Sequence, residues 1–176
     1  MAHAIRFQTT LLQATEELFA FVRLPEDASQ ALPSRGMVSV EGTADGHPFA
    51  VTLEPDGQGG HWFRVDQKLA LSVGSTVDFE IAPVSVEPEP VVPEDLLQAL
   101  ERAPAKAQAT WDSTTAVARR DWIQWIVSGK KAETRALRIE KACEMLASGK
   151  RRVCCFDRSG MYSKSLSCPV AEGESI

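Results

Sequence analysis

Apolar and polar residues alternate with a period of two through the first half of the chain. The clearest case is GMVSVEGTADGHPFAVTLEP, in which two alternating runs meet at Asp45-Gly46. Such a pair predicts a tight hairpin turn, because glycine readily adopts a positive φ. IRFQTTL, LFAFVRLP and HWFRVD, together with the alternation at Val77, Phe79 and Ile81, are typical of further strands. Short strands at this spacing predict a small antiparallel β-barrel over residues 1–84.

The pattern changes at PVSVEPEPVVPEDL, where four prolines remove backbone donors and keep the chain extended. Residues 85–92 are therefore predicted to form a Pro-rich linker. Pro93 suits the first turn of a helix, and Glu94 and Asp95 follow where the helix dipole favours negative charge. This helix should end near Arg102, because Ala103-Pro104 comes next.

A helical pattern occupies residues 93–152. After the candidate N-caps in STT, AVARRDWIQWIV predicts one helix, which Ser128-Gly129 ends. A second helix is predicted over 131–147, with Ser148-Gly149 as its C-cap. Residues 153–176 have no period, so we expect an irregular tail with a mobile end. The fold class predicted is α+β, with the barrel first and the helical domain second.

A helical wheel divides the helix 131–147 into three sectors. The apolar sector contains Ala132, Ala136, Ile139, Cys143 and Leu146. The basic sector beside it contains Lys131, Thr134, Arg135, Arg138 and Lys141. Glu133, Glu140 and Glu144 lie on the far side. Because like charges at this spacing destabilise an isolated helix slightly, the segregation suggests an outside source of negative charge.

The overall net charge of −5 conceals an asymmetry. Residues 1–90 carry 5 Lys and Arg against 13 Asp and Glu, whereas residues 119–152 carry 10 against 4. An acidic half and a basic segment in one chain favour two modules. The composition is otherwise that of a globular protein, and no apolar run is long enough to insert in a membrane. The beginning of the chain lacks a signal-peptide pattern, so we expect a cytoplasmic protein.

The basic sector provides the main candidate site. We predict that Lys130, Lys131, Thr134, Arg135 and Arg138 bind an anion or an acidic partner, since free N–H groups at a helix start favour negative charge. Three alternatives remain open. The sector is solvated, or Arg135 pairs with a carboxylate of its own chain, or the helix pair is a helix-turn-helix. The overall acidity argues against the last, so nucleic-acid binding is not expected.

Other residues point less clearly to chemistry. A candidate pocket between barrel and helices would be lined by His61, Trp62, Arg119 and Trp125. PDGQGG lacks the Lys-Ser/Thr of a phosphate loop and is predicted to be a hairpin loop. The run Ser159-x-x-x-Ser163-Lys164 is expected to be surface. The cysteines are Cys143, Cys154, Cys155 and Cys168; they lack zinc spacing, although Cys154-Cys155 is a candidate redox or soft-metal pair. The sequence indicates no cofactor and no metal.

RRDWIQWIVSGKKAETRALRIEKACEMLASGKR resembles the YdeI/OmpD-associated, or bacteriocin-protection, family. The matching positions are Arg119-Arg120, Trp125-Ile126, Lys130-Lys131, Glu133-Thr134-Arg135, Arg138-Ile139 and Gly149-Lys150. FVRLPED, the hairpin and GSTVDFEI are similar to the small β-barrel domain of unknown function that often precedes it. The resemblance implies a bacterial protein with a role in protection against bacteriocins and association with an outer-membrane porin. It implies no reaction.

We therefore expect a binding or stress-protection protein that holds an acidic protein or a phosphate-bearing ligand on its basic helix face, and an enzyme is the less favoured class. A small-molecule carrier or an enzyme with a pocket between the domains is the alternative. Weak nucleic-acid binding through the helix pair is the second alternative. The sequence leaves the oligomeric state undetermined.

Overall fold

A computed structural model describes residues 3–153, 156–163 and 166–174 of the chain. Two compact units are present. The first comprises residues 3–86 together with the described part of 157–176, and the second comprises residues 87–156 except 154 and 155. The first unit is mainly β and the second is helical, which confirms the predicted α+β class.

A nearly closed antiparallel barrel forms the first unit. Its strands are β1 (Ile5–Thr10), β2 (Leu12–Gln13), β3 (Ala20–Arg23), β4 (Val38–Ala44), β5 (His47–Pro55), β6 (His61–Arg64) and β7 (Thr76–Pro83). Their order is β1-β7-β4-β5-β6-β3-β2. A short helix, α1 (Glu26–Gln30), follows β3. The strands predicted from alternation are all present.

The hairpin between β4 and β5 has the predicted turn. Asp45 has a φ of 47° and Gly46 a φ of 83°, so both central residues are in the left-handed region, as a two-residue turn of this kind requires. Val38↔Leu53 and Val40↔Val51 pair across the two strands and face the core. The alternation therefore matches the side of the sheet that is buried.

Phenylalanine rings fill the centre of the barrel. Phe7 stacks on Phe79 with ring centroids 5.2 Å apart, and Phe63 meets Phe79 edge to face at 5.6 Å. Leu11, Val22, Leu53 and Val77 complete the core without exposure to solvent. Period-two patterning thus places one face of each strand in a single apolar cluster.

The described residues of the C-terminal tail pack on the outside of the barrel. Ala171 forms a β-bridge with Ala14, and Glu174 pairs with Arg23, whose Nη2 lies 2.8 Å from Glu174 Oε2. Ala14, Phe21, Trp62 and Ala171 form a second buried cluster there. The tail consequently buries the outer face of β3, so both Phe21 and Val22 are fully buried. The described residues of the predicted irregular tail contain no helix or strand, and these contacts hold them against the barrel.

The second unit contains α2 (Glu94–Arg102), α3 (Ala105–Ser113), α4 (Ala116–Val127) and α5 (Ala132–Ala147). The sequence patterns did not single out helix α3 as a separate helix. It forms because Pro104 begins a new helix as well as ending the previous one, and because Ala107, Thr110 and Trp111 are buried at helical spacing. Thr115 caps α4 by accepting a hydrogen bond from the Ala118 N–H, as the sequence indicated.

Trp122, Ile126 and Leu146 are fully buried at the centre of the helical core. The end of α5 is a glycine motif of the Schellman type: Gly149 has a φ of 91°, and the Lys150 N–H donates to the Met145 carbonyl at 3.0 Å. This confirms the predicted C-cap. Val153 and Phe156 then pack against the same core.

Candidate functional site

Two arginines of the basic sector of helix α5, Arg135 and Arg138, contact neighbouring helices of their own unit. Ile139, Ala142 and Leu146 are the buried residues of α5. Ala132 and Ala136, which the wheel assigned to the apolar sector, are exposed. Ile139 and Leu146 of the predicted apolar sector are buried, and the buried face is rotated from that sector by roughly 50° about the helix axis. Two alanines at the helix start bury little area, whereas the long aliphatic stems of arginines can cover apolar surface.

Arg135 pairs with Asp95 at the start of α2. Its Nε lies 2.7 Å from Asp95 Oδ2 and its Nη2 lies 3.0 Å from Asp95 Oδ1, which is a two-pronged contact. Hydrogen bonding to Arg135 lowers the pKa of the Asp95 carboxyl, and the same contact raises the pKa of Arg135. A carboxylate of its own chain therefore engages this arginine, as one of the open alternatives anticipated.

Arg138 holds the C-terminal end of α4. Its Nη1 donates to the Trp125 carbonyl at 2.6 Å and to Ser128 Oγ at 2.8 Å. The guanidinium also lies 5.5 Å from the centre of the Trp125 ring. A cation at the end of a helix satisfies carbonyls that have no partner within the helix. Trp125, one of the residues predicted to line a pocket, packs edge-on against Trp122 at 6.2 Å.

The rest of the predicted anion site lies at the turn before α5. Lys130 and Lys131 are exposed, and Lys131 occupies the cap position. The half-buried Thr134 lies close to Gly129: a Cβ at that glycine would be 3.1 Å from Thr134 Cγ2. The two arginines of the predicted set thus bind groups of their own unit, and the lysines remain on its surface.

Arginines 119 and 120 pair with glutamates of the Pro-rich segment. Arg119 Nε lies 2.7 Å from Glu89 Oε1, and its Nη1 donates to the Trp111 carbonyl at 3.1 Å. Arg120 Nη1 lies 2.9 Å from Glu87 Oε1, with both side chains only 14% exposed. The predicted linker therefore supplies counter-charges to α4.

His61 and Trp62 belong to the barrel, whereas Arg119 and Trp125 belong to the helical unit. The His61 ring is fully buried, with Nδ1 2.6 Å from Ser29 Oγ and Nε2 2.8 Å from the Gly36 carbonyl. Burial lowers the pKa of His61. Both ring nitrogens are thus engaged within the barrel, and this histidine ties α1 to the loop before β4.

A basic cleft opens beside the start of α4. It has a volume of about 510 Å³ and is lined by Thr114, Thr115, Ala118, Arg151 and Arg152. Arg151 donates to the Ser113 carbonyl. The Arg152 side chain is exposed and contacts no carboxylate among the described residues. We refer to these five residues as the α4 cleft. Its arginines lie beyond the last turn of α5, so the helical wheel did not include them.

No sequence pattern pointed to Gln124 as an unusual residue. It is 3% exposed, and neither its amide nitrogen nor its amide oxygen has a hydrogen-bond partner in the described structure. Buried polar groups normally have partners, so each exception calls for an explanation. The available signal was weak: a glutamine between Ile123 and Trp125 in an otherwise apolar stretch.

The remaining candidates have local structural roles. In PDGQGG, Asp56 Oδ1 accepts the N–H groups of Gln58 and Gly60 at 2.7 and 2.8 Å, so this loop folds on its own carboxylate as a hairpin loop. Asp157 likewise accepts the N–H groups of Tyr162 and Ser163, which hold its pKa well below the usual range.

The thiols of Cys143 and Cys168 are free, and burial raises the pKa of each. Cys154, Cys155 and Lys164 lie outside the described residues. Within the described ranges, no group of three His, Cys, Asp or Glu side chains is placed to hold a metal. In the same part of the chain, no helix combines the length and apolar character needed to cross a membrane.

The described chain consists of a small antiparallel barrel and, after it in the sequence, a helical unit in which several arginines pair with carboxylates of the same unit. Residues 89–149 match the family described as bacteriocin-protection, YdeI or OmpD-associated, and residues 7–81 match the domain of unknown function DUF1905. Each of these two stretches is similar to its family, and both resemblances noted in the sequence are confirmed. A search of curated proteins gives no match. The role attached to the first family is protection against bacteriocins.

Proposed function

We propose that this protein is a non-enzymatic, cytoplasmic binding protein that holds an oxyanion, the carboxylate or phosphate of an acidic partner, in the α4 cleft. The observation that carries the proposal is the pair Arg151 and Arg152 beside Thr114 and Thr115, with no acidic side chain among the described residues of the lining. Guanidinium groups bind carboxylates and phosphates with strong, charge-assisted hydrogen bonds.

The existing charge pairs favour the α4 cleft, rather than the start of α5, as the anion-binding site. Arg119, Arg120 and Arg135 each lie within 2.9 Å of a carboxylate of their own unit. An acidic partner binding them would have to displace those carboxylates. Arg152 needs no such exchange, so the α4 cleft is the better site for an external anion.

The hydroxyls of the α4 cleft support binding rather than catalysis. Thr114 Oγ1 donates to the Trp111 carbonyl at 2.6 Å, and Thr115 Oγ1 accepts the Ala118 N–H at 3.1 Å. A nucleophilic hydroxyl requires a base within hydrogen-bond reach. The lining supplies two cations and no base, and cations suit the capture of an anion.

Isothermal titration with inorganic phosphate and with a Glu-rich peptide tests the proposal. The wild type should bind at least one of them, and Arg152→Gln should weaken that binding by about tenfold, since a charged hydrogen bond contributes about 1.5–3 kcal/mol. Lys141→Gln is the matched control, because Lys141 is an exposed cation of α5. Phosphate binding alone favours a phosphate-bearing ligand, and peptide binding alone favours an acidic protein.

Two outcomes contradict the proposal. One is equal binding by the wild type and Arg152→Gln, and the other is no binding of either probe. A parallel titration with duplex DNA at two salt concentrations examines the nucleic-acid alternative. Tight binding with a steep salt dependence would favour that alternative, because counterion release governs such complexes.

A further inference from the structure

The barrel is open between β5 and β6. These two strands pair only at Glu54↔Trp62 and Pro55↔His61, so the first part of β5 has no neighbour on that side. In a hairpin with a two-residue turn, the residues flanking the turn exchange hydrogen bonds, and alternate residues then face outward. Ala44 and His47 flank this turn, which directs the N–H of Ala50 into the opening.

A pocket of about 350 Å³ occupies this opening. Its lining comes from two segments of the barrel, residues 47–51 and 63–69 without 67. Phe49 and Phe63 stack with ring centroids 5.8 Å apart at an interplanar angle of 20°. Phe49, Val51 and Leu69 are only partly buried, so an apolar floor is accessible to a ligand. This volume is in the range of small-molecule sites.

The rim carries charged groups, of which some are already engaged. Arg64 lies over the Phe19 ring at 3.8 Å and reaches Glu17 at 3.2 Å. Asp66 accepts the N–H of Lys68 at 2.9 Å. The Lys68 ammonium is exposed and has no acidic partner in the described part of the chain. Lys68 and the Ala50 N–H are therefore two uncommitted donors beside an apolar floor.

We infer that this barrel pocket binds a small organic acid, with an aromatic or branched apolar body on Phe49, Val51 and Leu69 and its carboxylate at Lys68 and the Ala50 N–H. A few placed polar groups around an apolar cavity are what such ligands require. The pocket lies wholly in the barrel, and its function is independent of the α4 cleft.

Phenylacetate, phenethylamine and acetate form a matched set of probes for an NMR titration of the full chain. Phenylacetate should shift the amide signals of Ala50, Lys68 and Leu69 with a Kd on the order of 1 mM, as expected for a fragment of this size. Phenethylamine has the same ring with the opposite charge, and acetate has the charge without the ring. Both should bind at least tenfold more weakly.

Two variants test separately the contact to the ligand carboxylate and the contact to its apolar body. Lys68→Gln should weaken phenylacetate about tenfold, and Val51→Phe should block it by filling the floor. Lys141→Gln, in the other unit, should leave it unchanged. If Val51→Phe fails to fold, Lys68→Gln decides. Equal shifts with acetate, unchanged affinity in Lys68→Gln, or no shift at the pocket amides would overturn the inference.

Discussion

The arginines on α4 and α5 differ from those that follow α5, although all belong to one basic segment of the sequence. Arg119, Arg120 and Arg135 bind carboxylates of their own unit, and Arg138 binds the end of α4. Arg151 and Arg152 line an open cleft. A cation that has already left water for a fixed partner stabilises the fold, whereas an exposed one remains available to a ligand. A count of charges along the sequence does not distinguish the paired arginines of α4 and α5 from the two arginines of the cleft.

The largest effect should come from Arg120→Ala. This change removes the cation that pairs with Glu87, 14% exposed, and that lies 3.9 Å from the buried Asp121, and we expect the free energy of unfolding to fall by about 3 kcal/mol. Urea denaturation measures it. The double variant Arg120→Met with Glu87→Leu should recover much of the loss, because it removes both charges. If Arg120→Ala retains full stability, the pair is not a structural element.

Arg138→Ala should cost about 2 kcal/mol. It removes the donor to the Trp125 carbonyl and Ser128 Oγ, together with the contact over the Trp125 ring. Arg138→Lys keeps the charge but loses the hydrogen-bond geometry of the guanidinium. The stability of this variant should therefore lie between those of the wild type and Arg138→Ala. Tryptophan fluorescence during unfolding measures the stability of both variants. If Arg138→Ala is as stable as the wild type, this arginine belongs with Arg151 and Arg152 rather than with the arginines that stabilise the fold.

Gln124→Leu should stabilise the helical unit by about 1 kcal/mol, because it replaces a buried amide that has no partner among the described residues. Thermal unfolding measures the difference, and Gln98→Leu on the exposed side of α2 is the control. A loss of stability in Gln124→Leu would mean that the amide is satisfied in solution.

Arg135→Ala should cost at most about 1 kcal/mol at neutral pH, since both partners are partly exposed. Because Arg135 lowers the pKa of Asp95, the contribution is fully present above the unfolded Asp pKa and is lost as pH falls through the lower folded pKa. The difference between wild type and variant should therefore shrink below about pH 4. Unchanged stability with lost anion binding would instead return Arg135 to the binding site.

Arg152→Gln should have the smallest effect, within about 0.5 kcal/mol, as is usual for an exposed side chain. Its unfolding midpoint in urea is compared with that of Lys141→Gln. A clear loss of stability in Arg152→Gln would erase the distinction between the two groups of arginines.

The barrel could be predicted almost entirely from local sequence. Alternation placed the strands, and Asp45-Gly46 placed the turn, because a strand with one buried face repeats every two residues. The pocket on that barrel could not be predicted. It depends on how many residues of β5 pair with β6. Pro48 has no N–H to donate on that side and indicates an unpaired edge, but it does not mark the residue at which pairing with β6 begins.

In the helical unit, the helices α2, α4 and α5 were predictable, since caps and breakers are local signals. The orientation of α5 was not. The predicted apolar sector runs from Ala132 and Ala136 to Ile139, Cys143 and Leu146, but the neighbouring helices cover Ile139, Ala142 and Leu146 and leave the two alanines exposed. Asp95 and the carbonyl of Trp125, which draw Arg135 and Arg138 inward, lie 40 and 13 residues away in the sequence.

By itself the sequence determined the order of the two domains, their strands and most helices, and the resemblance to two families, because propensity, period and turn chemistry are read from neighbouring residues. Only the tertiary structure decided which arginines are paired, where the tail packs and where the two candidate pockets open. Those outcomes depend on contacts between residues far apart in the chain, which local patterns do not encode.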